Sequence, residues 1–232
     1  MKRNAFIALS TGFLVAICII FINSKNPIKT TIDFFTGPFS SPYYFGTWLN
    51  NTTLLATAAL GIFISTLGGN MNLGGEGQIY VGGFITAFLF LKLPSMPLFL
   101  SLGITLISCL VITGLMSAIS GFLKVYRGIN EILSSFLLSL AVIPLIDYTV
   151  SGPLRDSSKN LLAMPFINNE HRFLRILSPS PLNISIFVFI IFFVLCLLFL
   201  YKTKIGRTYR LSGIAPEFAF YSGYSLGKST IL

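Results

Sequence analysis

A stretch of apolar residues without a charge constrains this chain more than any other feature of its sequence. Leu182 to Tyr201 carries no charged side chain, and a helix that crosses a membrane needs about 20 such mostly apolar residues. The rest of the chain follows the same trend, because 54% of its 232 residues are hydrophobic and only 10% are charged. So few charges could not cover the surface of a soluble domain, where charged residues make up about 25%. The sequence therefore predicts an integral membrane protein and excludes a soluble enzyme.

Five further apolar runs predict an all-α fold, a polytopic transmembrane helical bundle of about six spans. We expect one transmembrane domain over residues 1–232. The first run follows Lys2 and Arg3 but lacks a small-residue cleavage site, so we expect an uncleaved span and not a signal peptide. The second and third runs are short for full spans. The predicted spans are Ala5–Ile22, Thr52–Leu67, Ile79–Leu91, Pro97–Leu123, Ile132–Val150 and Leu182–Tyr201.

Positive charge predicts the orientation of these spans. The net charge is +9, and a cluster of basic residues follows the sixth predicted span. Cytoplasmic segments of membrane proteins are enriched in Lys and Arg. Since six spans bring both termini to one side, we expect the N-terminus and the C-terminus in the cytoplasm. The same charge points to anionic membrane lipid as a partner, and not to nucleic acid.

No residue pattern in the sequence predicts a metal or cofactor bound by this chain. Cys18, Cys109 and Cys196 are widely spaced inside apolar runs, and the single histidine, His171, is expected to be solvated in a loop. The segment from Gly223 to Ser229 is similar to a phosphate-binding loop. It has too few residues between its two glycines for that motif, so we expect no ATP binding by this chain.

The Gly-rich segment Gly68–Gln78 predicts an interrupted helix between the second and third spans. Each glycine weakens a helix interior by about 1 kcal/mol, so the backbone is expected to leave helical geometry here. A broken helix pair in the middle of the membrane is typical of transporter binding sites. An ordinary cytoplasmic turn explains the same residues equally well. In the first interpretation, the polar side chains that line a cavity are Asn70, Asn72, Glu76 and Gln78.

Asn130 and Glu131 mark the start of the fifth span. Asn130 is a preferred residue for the N-cap of a helix. Glu131 lies where the helix dipole favours a negative charge. We favour this structural role over direct contact with a substrate.

A short helix is predicted in the basic tail. Pro216 followed by Glu217 is a favourable helix start, and Gly223 is a suitable stop. The helix would be about two turns long and lie on the cytoplasmic side. As an alternative, a basic amphipathic helix could rest on anionic lipid.

The segment Phe63–Ala87 resembles the signature of one family of ABC transporter permeases. This family serves nucleoside and simple-sugar uptake and works with a lipoprotein of the basic-membrane-protein type. Its sugar branch, typified by ribose permeases, has an Asp-Leu-Ser-x-Gly form here, so this chain is more similar to the nucleoside branch. Gly128–Ile132 and Gly152–Asp156 also resemble the family. The signature matches at Asn72, Gly74, Glu76, Gly77 and Gln78.

The tail from Gly206 to Gly223 resembles the segment that carries the coupling helix of this family. Ala215 stands where the family usually has Asn, and Phe218 replaces a small residue. The resemblance implies that this helix docks in a groove on a separate ATPase subunit. The residues that we assign to this docking are Arg210, Gly213, Pro216, Glu217, Ala219 and Gly223.

The resemblance implies a permease subunit of a bacterial ABC importer in the cytoplasmic (inner) membrane, with nucleosides as substrate and simple sugars as the alternative. Implied partners are a second permease, a cytoplasmic ATPase that holds ATP and Mg²⁺, and an extracytoplasmic substrate-binding lipoprotein. The chain itself would be a translocation subunit and not an enzyme. The predicted substrate pathway comprises Asn72, Glu76, Gln78, Asn130 and Glu131.

Two other classes of function fit the same composition. One is a secondary transporter with ion coupling. The other is a structural or assembly protein of the membrane, without transport activity. The length bears on this choice, because members of the family continue with further spans after the coupling helix. We therefore expect a chain that ends at Leu232 to be the N-terminal part of a longer fold, as a truncated, split or degenerate permease.

Overall fold

The computed structural model describes residues 2–93, 96–167, 172–224 and 227, and these residues are predominantly helical. Apart from the helices, the described ranges contain one isolated antiparallel bridge between Arg175 and Asn183. The prediction of an all-α fold is confirmed. The helices are α1 (Lys2–Asn23), α2 (Pro27–Thr36), a 3₁₀ turn (Gly37–Phe39), α3 (Pro42–Leu67), α4 (Gly75–Lys92), α5 (Leu98–Arg127), α6 (Glu131–Ser151), α7 (Ser185–Lys202), α8 (Lys204–Ile214) and α9 (Pro216–Tyr221).

Four helices of the described residues are long and apolar enough to cross a membrane. They are α1 through Phe6–Asn23, together with α5, α6 and α7. The chain is therefore a multi-pass membrane protein. The two remaining predicted spans form helices α3 and α4 but are less apolar, because α3 contains Asn50 and Asn51 and α4 begins with Gly75-Glu76-Gly77-Gln78.

The helix that contains the second predicted span extends well beyond its apolar run. Helix α3 begins at Pro42, ten residues before the predicted start at Thr52. Its threonines do not interrupt it, because their hydroxyls donate to the carbonyl four residues earlier, as Thr47 does to Tyr43 and Thr52 to Trp48. This local pairing satisfies the hydroxyl inside a continuous helix. The chain before α3 contains the short helix α2.

The interruption between α3 and α4 is confirmed, but it is shorter than predicted. It covers residues 68–74, because Gly75 to Gln78 already form the first turn of α4. Glu76 in that turn complements the positive end of the helix dipole. Helix α4 therefore starts earlier than its glycine content suggests.

The chain divides into two compact units. The first comprises Met1–Thr53 and Leu174–Ile186. In it, the rings of Phe13 and Phe35 stack 6.2 Å apart between α1 and α2.

The second unit comprises Leu54–Phe173 and Phe187–Leu232, and it holds the candidate site. Helices α4, α5 and α6 pack against one another. Their small apolar core contains Val81, Ile85 and Ile146. Serines are buried between the helices while large apolar side chains such as Phe99 and Leu110 face outward. Small and hydroxyl residues inside with apolar residues outside are the packing that a lipid environment favours.

Candidate functional site

The end of α3 is shaped by a left-handed glycine. Gly69 has a φ of +79°, a backbone conformation that glycine adopts without steric cost. The chain then turns back, so that the amide of Asn70 donates to the Ser65 carbonyl over 3.1 Å. The Ser65 hydroxyl in turn donates to the Asn70 carbonyl over 3.0 Å. These two bonds fix Asn70 at the start of the interrupted segment.

Serines of α6 satisfy the backbone of the interrupted segment. The Ser135 hydroxyl accepts from the Leu73 amide at 3.0 Å. The Ser139 hydroxyl accepts from the Gly77 amide at 3.0 Å and donates to the Gly74 carbonyl at 2.9 Å. A Cβ on Gly77 would lie 2.7 Å from the Cα of Ser139, so the approach requires glycine. Non-helical backbone at membrane depth is tolerated where protein groups satisfy it in this way.

Two of the predicted pathway residues converge on Ser117 of α5. The amide groups of Gln78 and Asn72 donate to the Ser117 hydroxyl at 2.7 Å and 3.3 Å. The Asn72 side chain also accepts from the Gly74 amide at 2.7 Å. The structure therefore brings Asn72 and Gln78 to one point between α4 and α5.

A small polar cavity lies beside this point. No space inside it is large enough to hold a water molecule, whereas ligand pockets measure roughly 300 Å³ or more. The buried hydroxyl of Ser120 on its wall has no hydrogen-bond partner among the described residues. The arrangement is closed and holds no space for a nucleoside. The cavity is lined by Gly74, Gln78, Met116, Ser120, Ser135 and Leu138.

Glu76 is not brought to Ser117. Its side chain is exposed in the first turn of α4. It makes no ion pair or hydrogen bond within the part of the chain that the structure describes. Glu76 thus presents an exposed carboxylate beside the interrupted segment.

Lys124 of α5 joins the interrupted segment to α6. Its ammonium lies 2.8 Å from the Glu131 carboxylate and 2.8 Å from the Asn70 side-chain oxygen. A third, longer bond of 3.4 Å reaches the Gly69 carbonyl. Asn70 is 5% exposed and Glu131 is 8% exposed, so the acceptors are shielded from solvent. An ammonium has three donors, and each of them has an acceptor here.

The helix-capping role of Asn130 is confirmed. Its side-chain oxygen accepts from the Ile132 amide at 2.9 Å, as an N-cap residue does. Asn130 is exposed, whereas the neighbouring Glu131 is buried against Lys124. The two neighbouring candidates therefore have different environments.

Helix α8 packs against both the end of α7 and the end of α3. A Cβ on Gly206 would clash with the Phe199 carbonyl, and one on Gly213 would clash with the Leu67 carbonyl. The Arg210 guanidinium donates to the Leu200 carbonyl at 3.1 Å and lies 4.2 Å above the Tyr201 ring. Arg210 and Gly213 thus hold α8 in place inside this chain.

Tyr209 extends from α8 toward Asn70 and Glu131, the two residues that bind Lys124. Its ring lies so close to Gly68 that any side chain there would overlap it. Burial raises the pKa of the Tyr209 hydroxyl, the negative charge of Glu131 raises it further, and a hydrogen bond with Asn70 opposes both. The hydroxyl therefore stays protonated beside Glu131. We call Asn70, Lys124, Glu131 and Tyr209 the Lys124 cluster.

The short helix in the tail is confirmed as α9. Pro216 is its first residue, Glu217 lies in its first turn, and Gly223 with a φ of +82° follows its end. Ala219 is fully buried, while Phe218 and Tyr221 are exposed. The helix therefore keeps one small residue inside and presents aromatic side chains outside.

Sequence reasoning missed Lys124 and the serines of α6. One signal was available, because Glu131, Ser135 and Ser139 recur every four residues and so share one face of a helix. Nothing local distinguishes Lys124 from the other basic residues.

Two of the sequence predictions concern residues that the structure does not describe. His171, expected in a loop, lies outside the described residues. The segment that is similar to a phosphate-binding loop is described only in part, because the described residues do not include Ser225, Leu226, Lys228 and Ser229.

Residues 44–232 match the sequence profile of a family described as branched-chain amino acid transport system / permease component. No solved structure matches the chain.

Three curated proteins are similar over nearly the whole of this chain. The probable riboflavin import permease protein RfuC of Treponema pallidum is 34% identical over 97% of the chain and 60% of its own length. The nucleoside ABC transporter permease protein NupB of Lactococcus lactis is 24% identical over 97% of the chain and 64% of its own length. The guanosine ABC transporter permease protein NupP of Bacillus subtilis is 22% identical over 96% of the chain and 64% of its own length. The chain thus spans 60% to 64% of the length of these relatives.

Proposed function

The chain belongs to the family described as branched-chain amino acid transport system / permease component, and on that premise we propose that it is a translocation subunit of an ATP-driven ABC importer. The observation that carries the proposal is the interrupted helix over residues 68–74, whose backbone is satisfied by buried serines. Irregular backbone between two half-helices is the architecture that transporters use for substrate sites. The chain would perform no covalent chemistry.

A nucleoside is the substrate that we propose. Two of the similar proteins are named for nucleoside and guanosine transport. Amide groups donate and accept hydrogen bonds, and carboxylates accept them, so both suit base edges and sugar hydroxyls. In our proposal Asn72, Glu76 and Gln78 meet the substrate when the closed cavity opens. Asn130 and Glu131 support the pathway through the helix cap and the contact with Lys124.

Riboflavin is the second candidate, because the similar protein from Treponema pallidum is named for its import. A flavin and a nucleoside both join a planar heterocycle to a chain or ring of hydroxyls. The same amide groups would therefore serve either ligand. A simple sugar lacks the planar heterocycle and is the weaker alternative.

The proposed partners follow from the importer architecture. A cytoplasmic ATPase, which would hold ATP and Mg²⁺, would dock on α9, where Phe218 and Tyr221 are exposed. A second permease would complete the pathway, and an extracytoplasmic lipoprotein would deliver the substrate. Both termini would lie on the cytoplasmic side of a bacterial cytoplasmic membrane.

Purification through a tag on this chain, followed by uptake assays in proteoliposomes, tests the proposal. We expect an ABC ATPase to copurify, and we expect ATP-dependent uptake of labelled guanosine or riboflavin that unlabelled ribose does not compete away. Pro216→Arg should abolish copurification of the ATPase, whereas the same change at the first residue of α2, Pro27→Arg, should not. Uptake driven by an ion gradient without an ATPase would replace the proposal with a secondary transporter. Absence of both ATPase and uptake would favour a membrane protein without transport activity.

A further inference from the structure

A basic residue that is unremarkable in the sequence lies beside the contact between α8 and the interrupted segment. Lys124 binds Asn70 of that segment and Glu131 of α6, both over 2.8 Å. On the α8 side, the Tyr209 ring packs against Gly68 at the start of the same segment. The interrupted segment, α5 and α6 thus meet at one ammonium group, next to the contact with α8.

Helix α8 is positioned to carry movement to this contact. Arg210 fixes it to the Leu200 carbonyl at the end of α7. At its other end, Gly213 packs directly against Gly69. A Cβ added to Gly69 would lie 3.0 Å from the Gly213 Cα, and a Cβ added to Gly213 would lie 2.6 Å from the Gly69 amide nitrogen. The contact is backbone against backbone, so it has no flexible side chain to absorb a displacement. When α8 shifts, the interrupted segment must therefore move with it, or the contact breaks.

We propose that Lys124 is a positioning residue that couples the position of α8 to the conformation of the interrupted segment. This inference rests on the proposed function, in which α8 and α9 follow the ATPase. With α8 docked, the Tyr209 ring packs on Gly68 and the Gly213 backbone packs on Gly69. Asn70 and Glu131 are buried beside them, so the hydrogen bonds of Lys124 operate in a medium of low dielectric constant. Electrostatic interactions are stronger there than in water.

Displacement of α8 changes the strength of this tether. Without α8 against Gly68 and Gly69, Asn70 and Glu131 become hydrated, and an exposed ion pair contributes little. The interrupted segment then loses its bond to α5 and α6 at Asn70, while Ser135 and Ser139 still hold its other end. Physical coupling between two sites requires an element with two states, whose equilibrium is shifted by both sites, here α8 and the interrupted segment. The Lys124 cluster supplies such an element.

The first arm of the test measures the conformation of the segment. Hydrogen–deuterium exchange of residues 68–74 is compared in the assembled importer for the wild type, Lys124→Met and Tyr209→Phe. We expect both variants to exchange at least threefold faster. The matched control is Arg127→Met, which removes an exposed cation from the same last turn of α5 and should leave exchange unchanged.

The second arm measures the coupling of substrate transport to ATP hydrolysis. If Lys124 had only a structural role, its replacement would not lower this coupling while ATP hydrolysis is retained. We expect Lys124→Met to retain ATP hydrolysis and ATPase copurification while the substrate imported per ATP hydrolysed falls at least threefold. The reversed pair, Lys124→Glu with Glu131→Lys, should recover part of that ratio. The inference is overturned if exchange does not change, or if the ratio stays at the wild-type value. Absence of ATP-dependent uptake by the wild type would overturn the proposed function, and the inference with it.

Discussion

The ammonium of Lys124 lies 2.8 Å from the carboxylate of Glu131, across the turn that joins α5 to α6. Glu131 is nearly buried, whereas the Lys124 side chain is 36% exposed. The turn between them is set by Gly128, whose φ of +63° ends α5, and by Asn130, which caps α6. Local backbone signals thus place two opposite charges beside the start of the interrupted segment.

Glu131→Gln should destabilise the protein by about 1–3 kcal/mol, because it leaves the Lys124 ammonium with a weaker partner. The partial exposure of Lys124 keeps the effect below that of a fully buried pair. Thermal unfolding in detergent measures it. Lys159→Met, which breaks the 3.6 Å ion pair with Asp156 at its 43% exposed partner, is the control and should shift the transition far less. Equal shifts for both variants would contradict the assigned burial.

Gly213→Ala should displace α8, because the added methyl group overlaps the Leu67 carbonyl. Overpacking of this kind costs about 1–3 kcal/mol. We expect a lower unfolding temperature and a loss of ATPase copurification. Gly114→Ala in α5 is the matched control, since no atom lies within 4 Å of the added Cβ. That change should stabilise the helix by about 0.5–1 kcal/mol, and a similar loss there would argue against the α8 contact.

Ser139→Ala should destabilise the interrupted segment by about 1–3 kcal/mol, because the Gly77 amide and the Gly74 carbonyl both lose their partner. Ser120→Ala provides the comparison. The hydroxyl of Ser120 is buried without a hydrogen bond to any described residue, so its removal should leave stability unchanged or raised. Chemical denaturation of both variants, followed by tryptophan fluorescence, measures the difference. Equal destabilisation by the two variants would mean that the serine contacts are not specific.

Tyr209→Phe should change how stability depends on pH at the alkaline end. The folded pKa of Tyr209 lies above its ordinary value of 10.0 because of burial and the nearby Glu131. Between the two pKa values the unfolded state has lost a proton that the folded state keeps, so the free energy of unfolding falls as pH rises above about 10. The wild type should therefore lose stability more steeply than the variant in that range. Tyr221→Phe, at an exposed position, should retain the wild-type slope.

Glu76→Gln should impair transport while the complex still assembles. Loss of one charged contact to the substrate corresponds to a fall of about tenfold in uptake, or about 1.4 kcal/mol. Uptake of labelled guanosine and riboflavin in proteoliposomes measures it, with ATPase copurification as the check on assembly. Asp147→Asn changes another exposed carboxylate, near the end of α6, and should leave uptake intact. Normal uptake by the Glu76 variant would remove this residue from the pathway.

Local sequence patterns predicted the parts of the fold that depend on neighbouring residues. The cap at Asn130, the start of α9 at Pro216 and the stop near Gly223 are all present, because each depends on a few adjacent backbone groups. The helix start at Pro42 was missed, since the polar composition of the residues that follow it argues against a span. Thr47 and its neighbours satisfy their hydroxyls within the helix, which hydropathy alone does not register.

The sequence by itself determined the class of protein and the interruption after Leu67, because low charge and clustered glycines act through solvation and backbone freedom. The tertiary structure alone decided which groups hold that interruption. Ser135, Ser139 and Lys124 lie more than 50 residues from their partners Leu73, Gly77 and Asn70. Such contacts depend on how α4, α5 and α6 pack, and a single sequence carries no direct signal for pairing across that separation. The same packing leaves Glu76 exposed and buries Glu131, although the two carboxylates look equivalent in the sequence.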